Sequence, residues 1–208
     1  NPNSNDSVTR GIDESLDSYR QRHSLEISCI TLEQGPFGIE SDEDIRAVAP
    51  LVTTCITSNP DYDAYVVACY SDPGLNESRT VSKKPVLGIH ESAVSLSASH
   101  ARRFGVVALG RESIQRHIAY VRSLGLQDWH AGERPLGISV DAAANDPAVR
   151  NQVIEAGRML VEEDGAETVI LGCAGLAAHR KPVQQALGVP VIDPVLAAVT
   201  LAAGSLGA

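Results

Sequence analysis

Apolar residues along the chain fall into two alternating patterns. Residues 4–20 repeat Val8, Ile12, Leu16 and Tyr19 at helical spacing behind a capping Ser4 or Asn5, which predicts a helix. "LEISCITL" (25–32) reads as a strand and "EQGPFGIES" (33–41) as a loop. A helix is expected over 41–56, with Ser41 as cap and acids in its first turn. "AYVVACY" (64–70) reads as a buried strand and "SDPG" (71–74) as a tight turn. Strand "PVLGI", helix "HESAVSLSASHA", strand "FGVVAL" and a helix closed by Gly125 follow. Residues 127–146 are irregular, with a short strand expected at Leu136–Val140. A helix then runs from Asp146 and Pro147 to Gly165. Strand "ETVILGC" (167–173), a helix within 174–188, strand "VPVI" (189–192) and a closing helix (193–206) complete the chain.

Strands separated by helices predict an α/β fold with parallel sheets flanked by helices. The uninterrupted apolar runs "YVVAC" and "TVILGC" suit central strands buried on both faces. The pattern restarts at Phe104, so the expectation is two similar Rossmann-like lobes with the site in the cleft between them. Lobe 1 takes 1–90 plus 190–208, and lobe 2 takes 91–189. The opening "NPNSNDS" reads as a loop and cap of the kind that follows a strand, so a first strand is expected before it. In such sheets ligands sit at the carboxyl ends of the strands. That edge collects Cys69, Cys173, the Asn1–Ser4 turn, "GPFGIES" and Ile192–Pro194.

Composition narrows the function. A formal charge of −9 disfavours nucleic acid and anionic membrane surfaces as partners. No apolar run is long enough to span a bilayer. Cys29, Cys55, Cys69 and Cys173 form no disulfide or zinc spacing, and no P-loop or GxGxxG is present. Reduced thiols, a cytoplasmic setting, no metal and no cofactor are expected.

Cys29 and Cys55 read as small core residues. Cys69 and Cys173 each end a strand and precede a turn and a helix start, a setting expected to lower a thiol pKa. Two thiols on opposite sides of a small ligand can invert a stereocentre: one thiolate removes a proton and the other thiol returns one. The histidines (His23, His90, His100, His117, His130, His179) read as surface or packing residues, with His179 as a group behind Cys173.

"NPNS", "GPFGIES", "ACYSDPGL", "LGCAGL" and "GVPVIDPV", in that order, resemble the hydantoin and allantoin racemases of the aspartate/glutamate racemase superfamily. The resemblance spans the chain. It implies a cofactor-independent isomerase with Cys69 and Cys173 as its two bases, a small cyclic amide as substrate and assembly into a homo-oligomer. Amino-acid racemases of the superfamily follow a catalytic cysteine with Asn-Thr. Here Tyr70-Ser71 and Ala174-Gly175 follow, which favours a neutral ring such as a 5-substituted hydantoin, allantoin included. Asn3, Ser4, Ser71, Asp72, Gly74, Ala174, Gly175, Leu176 and Pro194 are the expected substrate contacts, with Phe37 and Ser41 in a loop over the ring. The competing readings are an Asp/Glu-type racemase, a one-thiol decarboxylase or cis–trans isomerase of a small diacid, and a non-catalytic binding module.

Overall fold

In the computed structural model, which describes residues 1–101 and 103–207, the strands form two parallel sheets. The first pairs β1 (Tyr65–Val67) with β2 (Val86–Gly88). The second has the order β4-β3-β5-β6, with β3 (Phe104–Ala108), β4 (His130–Pro135), β5 (Thr168–Leu171) and β6 (Val191–Ile192). All its pairings are parallel. The expected α/β architecture of helix-flanked parallel sheets is therefore present.

Every residue of β3 and β5 is buried, as continuous apolar runs require. Alternation divides them between two packed layers. Phe104, Val106 and Ile170 meet helices α5 (Ile89–His100) and α10 (Pro194–Leu206). Val107, Val169 and Leu171 meet α8 (Val149–Glu162) and α9 (Arg180–Leu187). Each such side chain contributes about 1.5–3 kcal/mol by leaving water. β6 lies in the 190–208 segment expected in lobe 1, yet it pairs with β5 in the second sheet. Only α10 turns back to pack on β1 and β2. Arg102 and Ala208, which fall in the two expected lobe ranges, lie outside the described residues.

Several further expectations are corrected. Residues 24–32 run without regular secondary structure. A strand needs a ladder partner, and a groove of about 610 Å³ separates this segment from β1. Its backbone bonds instead to Asn1, through Asn1 N–H to Ile30 O and Leu32 N–H to Asn1 O. For the same reason β1 is paired on one side only among the described residues. The strand expected at Leu136–Val140 lies earlier, as β4, and the helix α7 (Val140–Asn145) follows, capped by Ser139. A short helix, α4 (Leu75–Val81), fills a stretch with no predicted element.

The N-terminal helix is broken at Leu16 into α1 (Asp6–Ser15) and α2 (Asp17–Arg20). Helix α3 (Asp42–Thr57) starts as predicted, with Ser41 and Asp44 forming a reciprocal capping box.

Candidate active site

A cavity of about 510 Å³ opens at the carboxyl ends of β1, β3, β4 and β5. Cys69 and Cys173 both line it, so strands from different sheets bring the two predicted thiols to one space. Each sulfur accepts a backbone N–H from the residue two positions on: Ser71 for Cys69, and Gly175, at 3.4 Å, for Cys173. The strand-then-turn pattern in the sequence builds this geometry twice.

The acidity of the thiols differs from expectation. Burial pushes Cys69 up to about 12 and Cys173 up to about 11. The Ser71 and Gly175 N–H groups pull the other way but do not win. The charge of Cys173 raises Cys69 further, so the two thiols interact electrostatically and titrate as a pair. A thiolate of this basicity is scarce at neutral pH, but it is a stronger base toward carbon than a low-pKa thiolate.

The other predicted contacts divide. Asn3, Ser71 and Ala174 line the cavity. Asn3 is fixed there because its Oδ1 accepts from Asn1 Nδ2 and Asn5 N. Gly175 and Leu176 stand behind Cys173, their N–H groups directed to its sulfur and carbonyl. Ser4 is absent from the lining and donates its N–H to Pro36 O.

Further residues on the predicted list hold the frame. Phe37 is 61% exposed and outside the lining, and Ser41 is occupied capping α3. Asp72 accepts the N–H groups of His90 and Glu91 at 3.0 and 2.9 Å, capping α5, and burial pushes its carboxyl up to about 7. Gly74 takes a left-handed turn (φ 70°), and a Cβ there would lie 2.5 Å from Ala49 O. Pro194 is the buried first residue of α10.

The largest omission from the predicted list is the wall opposite β1. Leu109 to Ser113, Arg116 and His117 contribute from the start of α6 (Arg111–Ser123), and Pro135 to Val140 from the loop after β4. The irregular stretch after residue 127 thus becomes part of the site. Ile39 and Glu40 complete it. Glu40 falls in the "GPFGIES" stretch expected at this edge, whereas Arg111, Glu112 and Arg116 sit in a stretch whose polar residues read as ordinary helix surface. Only their position at a strand's carboxyl end could have marked them.

Beneath Cys69 lies a buried polar cluster. Tyr70 stacks on His90 at 4.1 Å between ring centroids and meets His117 edge-on at 5.1 Å. His117 Nδ1 is 2.8 Å from Glu133 Oε2. The other oxygen, Oε1, is 3.4 Å from His130 Nε2, near enough for attraction but not aligned as a hydrogen bond. Burial holds His90 well below its usual range, so that ring is neutral. Three of the histidines, His90, His117 and His130, thus pack as expected, but in a polar cluster behind the site, and His117 also reaches the cavity wall. His179 is buried outside the lining.

Cross-links tie the two sides of the cleft. Glu40 Oε1 accepts Val140 N–H at 2.9 Å, Asn5 Nδ2 donates to Asp141 at 2.9 Å and Arg116 Nη1 to Asp42 at 2.7 Å. Among the described residues, no group of three or more His, Cys, Asp or Glu side chains is arranged to hold a metal ion. No helix among them is long and apolar enough to cross a membrane.

Two thiols at matching strand ends, lining one cavity between two parallel sheets, define a two-lobed α/β protein suited to acid–base chemistry at cysteine. The chain belongs to the Asp/Glu/Hydantoin racemase family, which matches residues 1–202. It is 37% identical to a hydantoin racemase of Pseudomonas sp. (strain NS671) over 97% of this chain and 82% of that protein. A hydantoin racemase of Rhizobium meliloti is 35% identical over 100% of this chain and 87% of its own length. The solved structure of an allantoin racemase from Klebsiella pneumoniae superposes with a TM-score of 0.92 at 28% identity, covering 100% of this chain and 86% of that one.

Proposed function

We propose that this protein is a cofactor-independent racemase of 5-monosubstituted hydantoins, allantoin included, with Cys69 and Cys173 as its two bases. The observation that carries this reading is the pair of strand-end thiols on one cavity, each sulfur held by a backbone N–H. The similarity to hydantoin and allantoin racemases supports the substrate class.

The proposed chemistry balances without any added reagent. One thiolate takes the C5 proton, the electron pair moves onto the adjacent ring carbonyl as an enolate, and the other thiol protonates C5 from the opposite face. Thiol and thiolate exchange roles with each turnover. Asn3, Ser71 and Ala174 are the predicted contacts that reach the ring; the remaining ones shape and support the pocket. The charged residues of the wall are two arginines and two glutamates, so no net positive charge awaits a dicarboxylate. Cytoplasmic residence and assembly into a homo-oligomer belong to the same reading, and light scattering tests the assembly.

The test follows optical rotation of pure L- and D-hydantoins and of allantoin, in heavy water and without metal. Wild type should racemise them with deuterium entering C5. Cys69→Ser and Cys173→Ser should each lose about 10²- to 10⁴-fold, the range for a positioned acid or base. Full racemisation by either variant would overturn the two-base assignment.

A further inference from the structure

A hydantoin offers two N–H donors as well as two carbonyls, and a cavity that orients it needs an acceptor for at least one of them. Near the thiols the polar groups are mostly committed. The Ser71 and Gly175 N–H groups go to sulfur, and Asn3 Oδ1 accepts from Asn1 and Asn5. Glu112 also lines the cavity, at the start of α6, but no hydrogen bond among the described residues holds its carboxylate in place.

Glu40 differs from all of these. It lines the cavity from the loop before α3. Its Oε1 is held across the cleft by Val140 N–H at 2.9 Å, which fixes the carboxylate in place. Its Oε2 has no hydrogen-bond partner among the described residues. Its charge reaches the Cys173 sulfur, so the carboxylate sits on that thiol's side of the cavity.

We propose that Glu40 determines substrate specificity: its Oε2 accepts the N–H attached to C5 of the ring, and its negative charge repels α-carboxylates. This rests on the hydantoin reading above. An N–H donated to a carboxylate is among the stronger hydrogen bonds, and a like charge placed against the wrong substrate is an efficient way to reject it. The arrangement supplies discrimination without the Asn-Thr grip, by favouring a neutral ring and disfavouring an open amino acid.

The experiment compares a 5-substituted hydantoin with its N1-methyl derivative, N1 being the nitrogen bonded to C5, in wild type, Glu40→Ala and Glu40→Gln. Methylation should cost wild type about 10- to 100-fold in kcat/KM, the worth of one hydrogen bond to a charged group. Glu40→Ala should cost a similar factor with the parent compound and show no further loss with the methylated one. Glu40→Gln retains the tie to Val140 N–H through its amide oxygen, but removes the charge and puts a donor NH2 where Oε2 accepted, so it should also lose most of the parent-compound rate. It should move the alkaline rise of the pH profile to lower pH, which loss of a merely structural side chain would not do. Losses that multiply fully in Glu40→Ala, or an unmoved profile in Glu40→Gln, overturn the proposal. A wild-type enzyme that racemises no hydantoin overturns the underlying reading as well, and is told apart because no variant is needed to see it.

Discussion

Among the described residues, the strand that ends on Cys69 is paired on one side only, whereas the strand that ends on Cys173 runs between two others in a four-stranded sheet. Cys69 is preceded by Ala68 and followed by Tyr70, which closes over a buried cluster of histidines. Cys173 is preceded by Gly172 and followed by small residues that open a 3-10 turn. The same local device, a sulfur facing the N–H two residues on, thus follows a strand with two ladder neighbours in one half and one with a single ladder neighbour among the described residues in the other. Precision at Cys173 comes from the sheet. At Cys69 it comes from packing behind the strand.

The sharpest way to break this comparison is at the residue before each thiol. A Cβ on Gly172 would lie 2.6 Å from Val107 O and 3.0 Å from Val106 Cγ1, inside the ladder that holds β5 to β3. Backbone cannot yield there without displacing Cys173. Gly172→Ala should lower the melting temperature clearly and cost about 100-fold or more in racemisation, as a 1 Å misplacement near a reacting centre does. Ala68→Gly, at the corresponding place before Cys69, should cost only about 1 kcal/mol of stability and leave kcat within a few fold. Thermal melts and racemisation rates of both variants decide it. Equal effects at the two positions would show that the strands are equally rigid.

Much of that asymmetry was hidden in the sequence. "TVILGC" announced a buried strand because its neighbours on both sides leave no room for polar residues, and both thiols were legible because each ended such a run. "YVVAC" is just as apolar, yet Tyr65 and Val66 are only half-buried, because the edge of β1 without a second ladder faces the groove, a distinction apolar runs do not encode. "LEISCITL" failed for a related reason: period-2 composition marks extended chain, but a strand exists only beside a partner. The far wall of the cavity was illegible because Arg111, Glu112, Arg116 and His117 lie at the start of a helix whose sequence period reports only which face is apolar. The tertiary fold decides that this end meets the thiols. Nothing in the local sequence marks Tyr70 as the residue that, at 4% exposed, links the site to His90, His117 and Glu133.

A pH profile probes the thiols as a pair. Both have pKa values above the ordinary thiol range, so at neutral pH both are protonated and activity depends on a small singly ionised population. For an acid whose pKa is raised, that population grows as pH rises. kcat/KM should therefore climb by about tenfold per pH unit between roughly pH 7 and 9. Initial rates over that range, corrected for uncatalysed racemisation, test it. A flat profile would mean that bound substrate or the backbone N–H groups already supply thiolate at neutral pH, as the sequence pattern alone suggested.

The smallest expected effect distinguishes the two thiols from each other. Burial leaves Cys173 near 11 and Cys69 near 12, despite the Glu40 charge that raises Cys173. At a given pH below both values, Cys173 then holds about ten times more thiolate. The gain is partly offset, because a thiolate of lower pKa is a weaker nucleophile, by about threefold per unit. Iodoacetamide should therefore modify Cys173 about threefold faster than Cys69, as peptide mapping at early times would show. Cys173 should react about tenfold, and Cys69 about thirty- to fortyfold, more slowly than a free cysteine, so sluggish alkylation here does not argue against a catalytic role. With anionic iodoacetate the preference should shrink, since the Glu40 carboxylate stands on the Cys173 side. Faster labelling of Cys69 with both reagents would reverse the order of acidities.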